Sequence, residues 1–197
     1  GTVSLAGTIL LQPGGTAWST TNVRPQIKRE ADGELRIGAG SDSDSKFTVY
    51  TAPSSGASLV ERLRIPGHGG VIFKGGPLQE KVKITAGKLS NNTNIDLADG
   101  NVHYFTTQES TTSTPNLRVN SSIMLNSVMA VGETVAVTLI TTAAAGGYSA
   151  ALQIHGNTQT VNWVGGSAPS AGGSSGVDIY NYTIIKTGSS AFTVIGN

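Results

Sequence analysis

Turn-forming residues interrupt this chain every 8 to 15 positions, and no segment between them keeps a sustained helical repeat. Gly, Ser and Thr number 26, 21 and 23 among the 197 residues. That spacing leaves little room for helices of ordinary length, about 10–14 residues. It suits short strands joined by tight connections, the rhythm of a sandwich or barrel rather than of βαβ units. The stretch Val177-Asp178-Ile179-Tyr180-Asn181-Tyr182-Thr183-Ile184 alternates over eight residues, the pattern of a half-buried strand. Ala191-Phe192-Thr193-Val194-Ile195 is its expected hairpin partner across Thr187-Gly188-Ser189. The β-branched run at 135–141, bounded by Gly132 and Gly146-Gly147, predicts another strand, as do residues 102–107, 148–154 and 160–164. Residues 122–131 space Met124, Val128 and Val131 helically, but the stretch is short and diluted by Ser and Asn, so no helix is expected.

Charge divides the chain. Residues 1–86 hold ten Lys/Arg and seven Asp/Glu, whereas residues 87–197 hold three and five. Aromatics run the other way, with Trp18, Phe47, Tyr50 and Phe73 in the first part and seven in the second. With the Lys74-Gly75-Gly76-Pro77 punctuation, this shift places a boundary near residue 77. The expected architecture is all-β: a β-rich N-terminal docking or oligomerisation segment over 1–77, then an antiparallel, jelly-roll-like β-sandwich over 78–197. Within the first segment, Glu34-Leu35-Arg36-Ile37-Gly38 and Arg62-Leu63-Arg64-Ile65-Pro66-Gly67 echo each other 28 residues apart, fewer copies than a solenoid needs.

Composition excludes several classes. No run of 18 apolar residues is present, so no membrane-spanning helix is expected. The net charge of +1 argues against a nucleic-acid binder that relies on a basic field. With no cysteine there is no disulfide framework. Charged residues make up 13%, against about 25% in ordinary domains, so little of the stability should be electrostatic.

Candidate chemistry is sparse. His68, His103 and His155 lie far apart and lack metal-ligand spacing. Asp42 and Asp44, in Ser41-Asp42-Ser43-Asp44-Ser45, alternate as calcium ligands do, yet the later Gly and Glu of such a loop are missing. Gly38-Ala39-Gly40 and Gly165-Gly166 lack the strand-to-helix context of a phosphate loop and read as turns. No nucleophile elbow or acid pair stands out. No catalytic, cofactor-binding or metal residue is therefore expected, and the protein is read as non-enzymatic. Trp163 with Tyr180 and Tyr182 is a candidate sugar-stacking platform, although aromatics at i and i+2 more often pack on one face of a sheet. Val3, Leu5, Ile9 and Leu11 form an apolar strand that a thin segment can hardly cover alone, and are candidate assembly residues.

Val60-Glu61-Arg62-Leu63-Arg64-Ile65, followed by Gly67-His68-Gly69-Gly70-Val71, resembles elements recurrent in tail-fibre and other structural proteins of marine tailed phages. Gly100–Thr107, Asn162–Pro169, Gly176–Tyr180, Ile185–Gly188 and Phe192–Asn197 are similar to modules of cyanophage virion proteins. The usual fibre element continues D-x-x-G, where this chain has Pro66-Gly67-His68-Gly69. The resemblance implies a non-enzymatic component of a virion exterior, a capsid decoration or fibre-type protein assembled in the host cytoplasm. It implies partners among the chain's own copies, as a homotrimer, and among major capsid or tail proteins, with no nucleic acid, membrane or cofactor. The alternative from another class is a carbohydrate-binding adhesin module for host-surface recognition; a polysaccharide-degrading spike fits least.

Overall fold

The computed structural model describes residues 26–29, 35–38, 46–51, 58, 60–66 and 69–197. The chain forms two compact units, Gly1–Leu78 and Gln79–Asn197. The first contains an antiparallel pair, β1 (Gln26–Arg29) with β2 (Leu35–Gly38). A second antiparallel sheet holds β3 (Lys46–Thr51), β4 (Val60–Pro66) and β5 (Ile72–Phe73), in that order. The described parts of both echoed segments, residues 35–38 and 62–66, are thus strands. Val49, Tyr50, Ile65, Ile72 and Phe73 are exposed, and none of the described side chains of this unit is fully buried. Val3, Leu5, Ile9 and Leu11 lie outside the described residues, as do Asp42, Asp44 and His68.

The second unit carries the core. Its strands are β6 (Val82–Thr85), β7 (Asn94–Asp96), β8 (Val102–Gln108), β9 (Asn116–Arg118), β10 (Thr134–Thr142) and β11 (Leu152–Ile154). They continue with β12 (Asn157–Gln159), β13 (Val161–Trp163), β14 (Val177–Gly188) and β15 (Ala191–Gly196). A single helical turn, α1 (Leu125–Val128), falls between β9 and β10. From β6 to β11 the chain alternates between two sheets. β6, β8 and β10 stand side by side and parallel in one; β7, β9 and β11 do the same in the other. The result is a coil of three stacked turns, each contributing one strand to each sheet. β14 and β15 then extend the first sheet antiparallel to β10, with β13 at its edge, while β12 turns back on β11.

The all-β character is as expected, and so is the β14–β15 hairpin, which turns at Ser189-Ser190. The expectation of antiparallel sheets is corrected: five of the eight ladders in this unit are parallel. Parallel neighbours need a crossover of about a dozen residues or more. The stretches from β6 to β8 and from β8 to β10 supply it by laying a strand on the opposite sheet before returning. The expectation of no helix is corrected as well, by the one turn of α1. That turn is held from outside: the Lys186 ammonium donates to the carbonyls of Asn126 and Met129, each at 2.6 Å.

Side chains from both sheets meet in one core. Ile95, Leu117 and Ile154 sit in register on β7, β9 and β11, forming an aliphatic ladder with exposures of 0%, 0% and 3%. Facing contributions come from Phe105, Leu139, Tyr182, Ile184 and Val194 of the first sheet. Glu109 is buried just past β8, where its carboxylate accepts the backbone N–H groups of Leu89 and Ser90. Two backbone donors at the start of that turn are satisfied this way.

Candidate functional site

Of the three candidate platform aromatics, Tyr180 and Tyr182 are buried in the core, and Trp163 is partly buried against it. Tyr180 and Tyr182 point inward from β14, 5% and 1% exposed, opposite Leu139 and Val137 of β10. Trp163 packs edge-on to Tyr182, with centroids 6.0 Å apart and planes at 64°. Its ring also lies against Gly196, where an added Cβ would meet ring atoms at 2.8 Å. No tyrosine face is left for a ligand. The period-2 pattern located the strand, but which of its faces met the second sheet depended on residues far away in the chain.

Burial pushes the Tyr182 phenol pKa upward, and does the same to Tyr180. A phenol that resists ionisation when folded, but ionises near pH 10 when unfolded, stabilises the fold fully below pH 10. That contribution is lost as pH rises further. Thermal melts of the full chain should therefore show a steep alkaline decline above about pH 10. Tyr182→Phe should flatten it; an unchanged slope would contradict the burial argument.

His103 on β8 is 3% exposed, and its Nε2 lies 3.0 Å from the carbonyl of Gly100, an arrangement suited to a neutral ring donating that proton. Burial holds its pKa below the ordinary value of 6.5, with the carbonyl contact opposing. Unfolded chains take up this proton first on acidification, so the stability it contributes above about pH 6.5 falls away as pH drops. The gap in melting temperature between pH 7 and pH 5 should narrow in His103→Gln. A gap of the same size would assign the acid sensitivity elsewhere. Asp99 pairs with Lys83 at 2.8 Å, and Asp96 with Arg118 across β7 and β9. Among the described residues no three His, Asp or Glu side chains converge as metal ligands, and no helix is long and apolar enough to cross a membrane.

One recess gathers unassigned polar groups. Three chain turns enclose a cleft of about 340 Å³: the residues entering α1, the β11–β12 turn and the β14–β15 turn. Ile154, Phe192 and Met124 give it an apolar wall; Asn126, His155, Asn157, Gln159 and Ser190 supply the polar groups. His155-Gly156 is a two-residue hairpin turn with φ of 47° and 80°. Positive φ at both positions is the turn that matches strand twist, usually met by Asn-Gly or Gly-Gly. The turn is braced from behind. Asn116 Oδ1 accepts the Gly156 N–H at 2.7 Å while its amide donates to Asn94 Oδ1 at 2.9 Å, and the His155 N–H reaches the Leu117 carbonyl. On the other side, Asn126 Oδ1 accepts the Ser190 N–H at 2.8 Å.

Sequence reasoning considered His155 only as a metal ligand and did not single out Asn126, Asn157, Gln159 or Ser190. The local His155-Gly156 dipeptide between two short strands was the one available signal. No protein-family model, no curated protein and no solved structure matches the chain.

Proposed function

We propose that the chain is a non-enzymatic structural component of a phage virion exterior, of the capsid-decoration or fibre type. The observation that carries this reading is the contrast between the two units. The second builds a continuous core from two sheets, whereas none of the described side chains of the first is fully buried and Val49, Tyr50, Ile65, Ile72 and Phe73 are exposed. A sheet in that condition is an assembly surface, since exposed apolar strands otherwise aggregate. Closed symmetry, as in a homotrimer, covers such strands without leaving a free edge. The resemblance of residues 60–71 and of the C-terminal segments to marine phage structural proteins supports the same setting. Capsid or tail proteins are then its other partners, and the virion is its location.

Antibody against the chain should decorate intact phage particles in negative stain. Light scattering of the pure full chain should give a multiple of 20.1 kDa, expected to be three, and deletion of residues 1–30 should lower it. Antibody that labels host lysate but no particle would overturn the reading; a monomer unaffected by the deletion would overturn the assembly role.

A further inference from the structure

We infer that the cleft between α1, the β11–β12 turn and the β14–β15 turn is a binding site for a neutral saccharide. This goes beyond the structural role and uses none of the aromatics first considered for sugar stacking.

Three observations converge on it. The first is backbone conformation. Among the described residues, His155 and Ser190 are the non-glycine residues with positive φ, at 47° and 55°, and both line this cleft. A side chain held in the left-handed region is strained and persists where its surroundings enforce it, often at ligand sites. Glycine at either position would form the same turn without that strain, so the two side chains are present for what they reach.

The second is charge. No lysine, arginine, aspartate or glutamate lines the cleft. Lys186, which holds α1 beside the cleft, is 8% exposed and turned onto the carbonyls of Asn126 and Met129. The one titratable side chain lining it is the His155 imidazole, so an ammonium ligand would find no counter-charge and an anion none of fixed charge.

The third is the mix of polar and apolar groups. Asn126 uses its oxygen on the Ser190 N–H, which leaves its NH2 as a donor. Gln159 uses its NH2 on the Asn157 carbonyl at 2.9 Å, which leaves Oε1 as an acceptor. Asn157 likewise keeps Oδ1, and the Ser190 hydroxyl both donates and accepts. Neighbouring hydroxyls of a sugar ring each donate one hydrogen bond and accept others, which this alternation of amide donors and acceptors matches. The ring's apolar C–H face suits the Phe192 and Ile154 wall. A volume of about 340 Å³ lies at the low end of the roughly 300–1,000 Å³ typical of small-molecule sites. That favours one or two sugar units over a long chain.

The full-length protein should be screened on an array of neutral and sialylated glycans. Binding should then be measured by saturation-transfer NMR with free glucose, galactose, mannose and N-acetylglucosamine. Neutral glycans should give signal, and Asn157→Ala and Gln159→Ala should each weaken binding about tenfold without changing the melting temperature. His155→Asn, which suits the turn's φ and so keeps the fold, should also weaken it. No signal from any neutral glycan, signal from sialylated glycans only, or neutral-glycan binding indifferent to all three substitutions would overturn the proposal. Particle decoration is read separately, so either proposal can fail without the other.

Discussion

Replacing Leu117 with alanine is expected to destabilise the second unit by about 2–5 kcal/mol, the range for truncating a fully buried leucine. Leu117 is the middle rung of the Ile95–Leu117–Ile154 ladder, 0% exposed and in register with a neighbour on each side. Both neighbours are fixed by parallel backbone pairing, so neither can close the space left behind, and the cavity persists at nearly full volume. The loss is a large share of the 5–15 kcal/mol that holds a typical domain together. Urea unfolding followed by circular dichroism reads it directly. Ile84 on β6, 66% exposed, provides the contrast: its alanine variant should stay within about 0.5 kcal/mol of the parent. Equal effects at the two positions would mean that the stacked coil is not the stabilising core.

Gly147→Ala should be the most damaging single methyl addition among the glycines near the end of β8. A Cβ there would meet Glu109 Cβ at 2.3 Å and the Ser110 backbone nitrogen at 3.0 Å. The obstruction includes backbone, so no side-chain rotation relieves it. Glu109 would have to move, and its buried carboxylate would leave the Leu89 and Ser90 N–H groups it now satisfies. Overpacking of this kind costs about 1–3 kcal/mol, and each orphaned buried donor about 1–3 kcal/mol more. The adjacent Gly146→Ala is the control. Its Cβ would meet only the Ser110 carbonyl, at 3.4 Å, an ordinary contact, so a change under about 0.5 kcal/mol is expected. Melting temperatures of the two variants, measured side by side, decide the matter; equal losses would show that general loop rigidity, not the Glu109 junction, is at stake.

Both effects concern how the coil closes on itself, and the same framework shapes the candidate site. The Asn94–Asn116 amide pair that joins two turns of the coil ends on the Gly156 N–H, so the stack positions the cleft's strained turn. Lys186 does the equivalent for α1 on the facing side. A recess built on a rigid stack loses little freedom on binding a small ligand, which favours affinity.

What the sequence determined by itself was local. Alternation at period two marked β14, and a β-branched run between glycines marked β10, because both signals follow from neighbouring residues alone. The turn residues Thr187-Gly188-Ser189 and the patterns flanking them marked the β14–β15 hairpin for the same reason. Tertiary structure decided the rest. β7, β9 and β12 are three residues long and β6 four, too short for any periodicity to register, and each is a strand because the coil offers it a partner. Whether ladders ran parallel depended on where the intervening chain went, which no local pattern encodes. Tyr180 and Tyr182 became core residues once the opposite sheet covered their face. The cleft draws Asn126, His155 and Ser190 from segments far apart in sequence, and its polar groups are ordinary surface residues until folding brings them to one recess. Side-chain direction within a strand is a short-range property; the pairing of sheets and the convergence of turns are long-range ones, fixed only when the whole core packs.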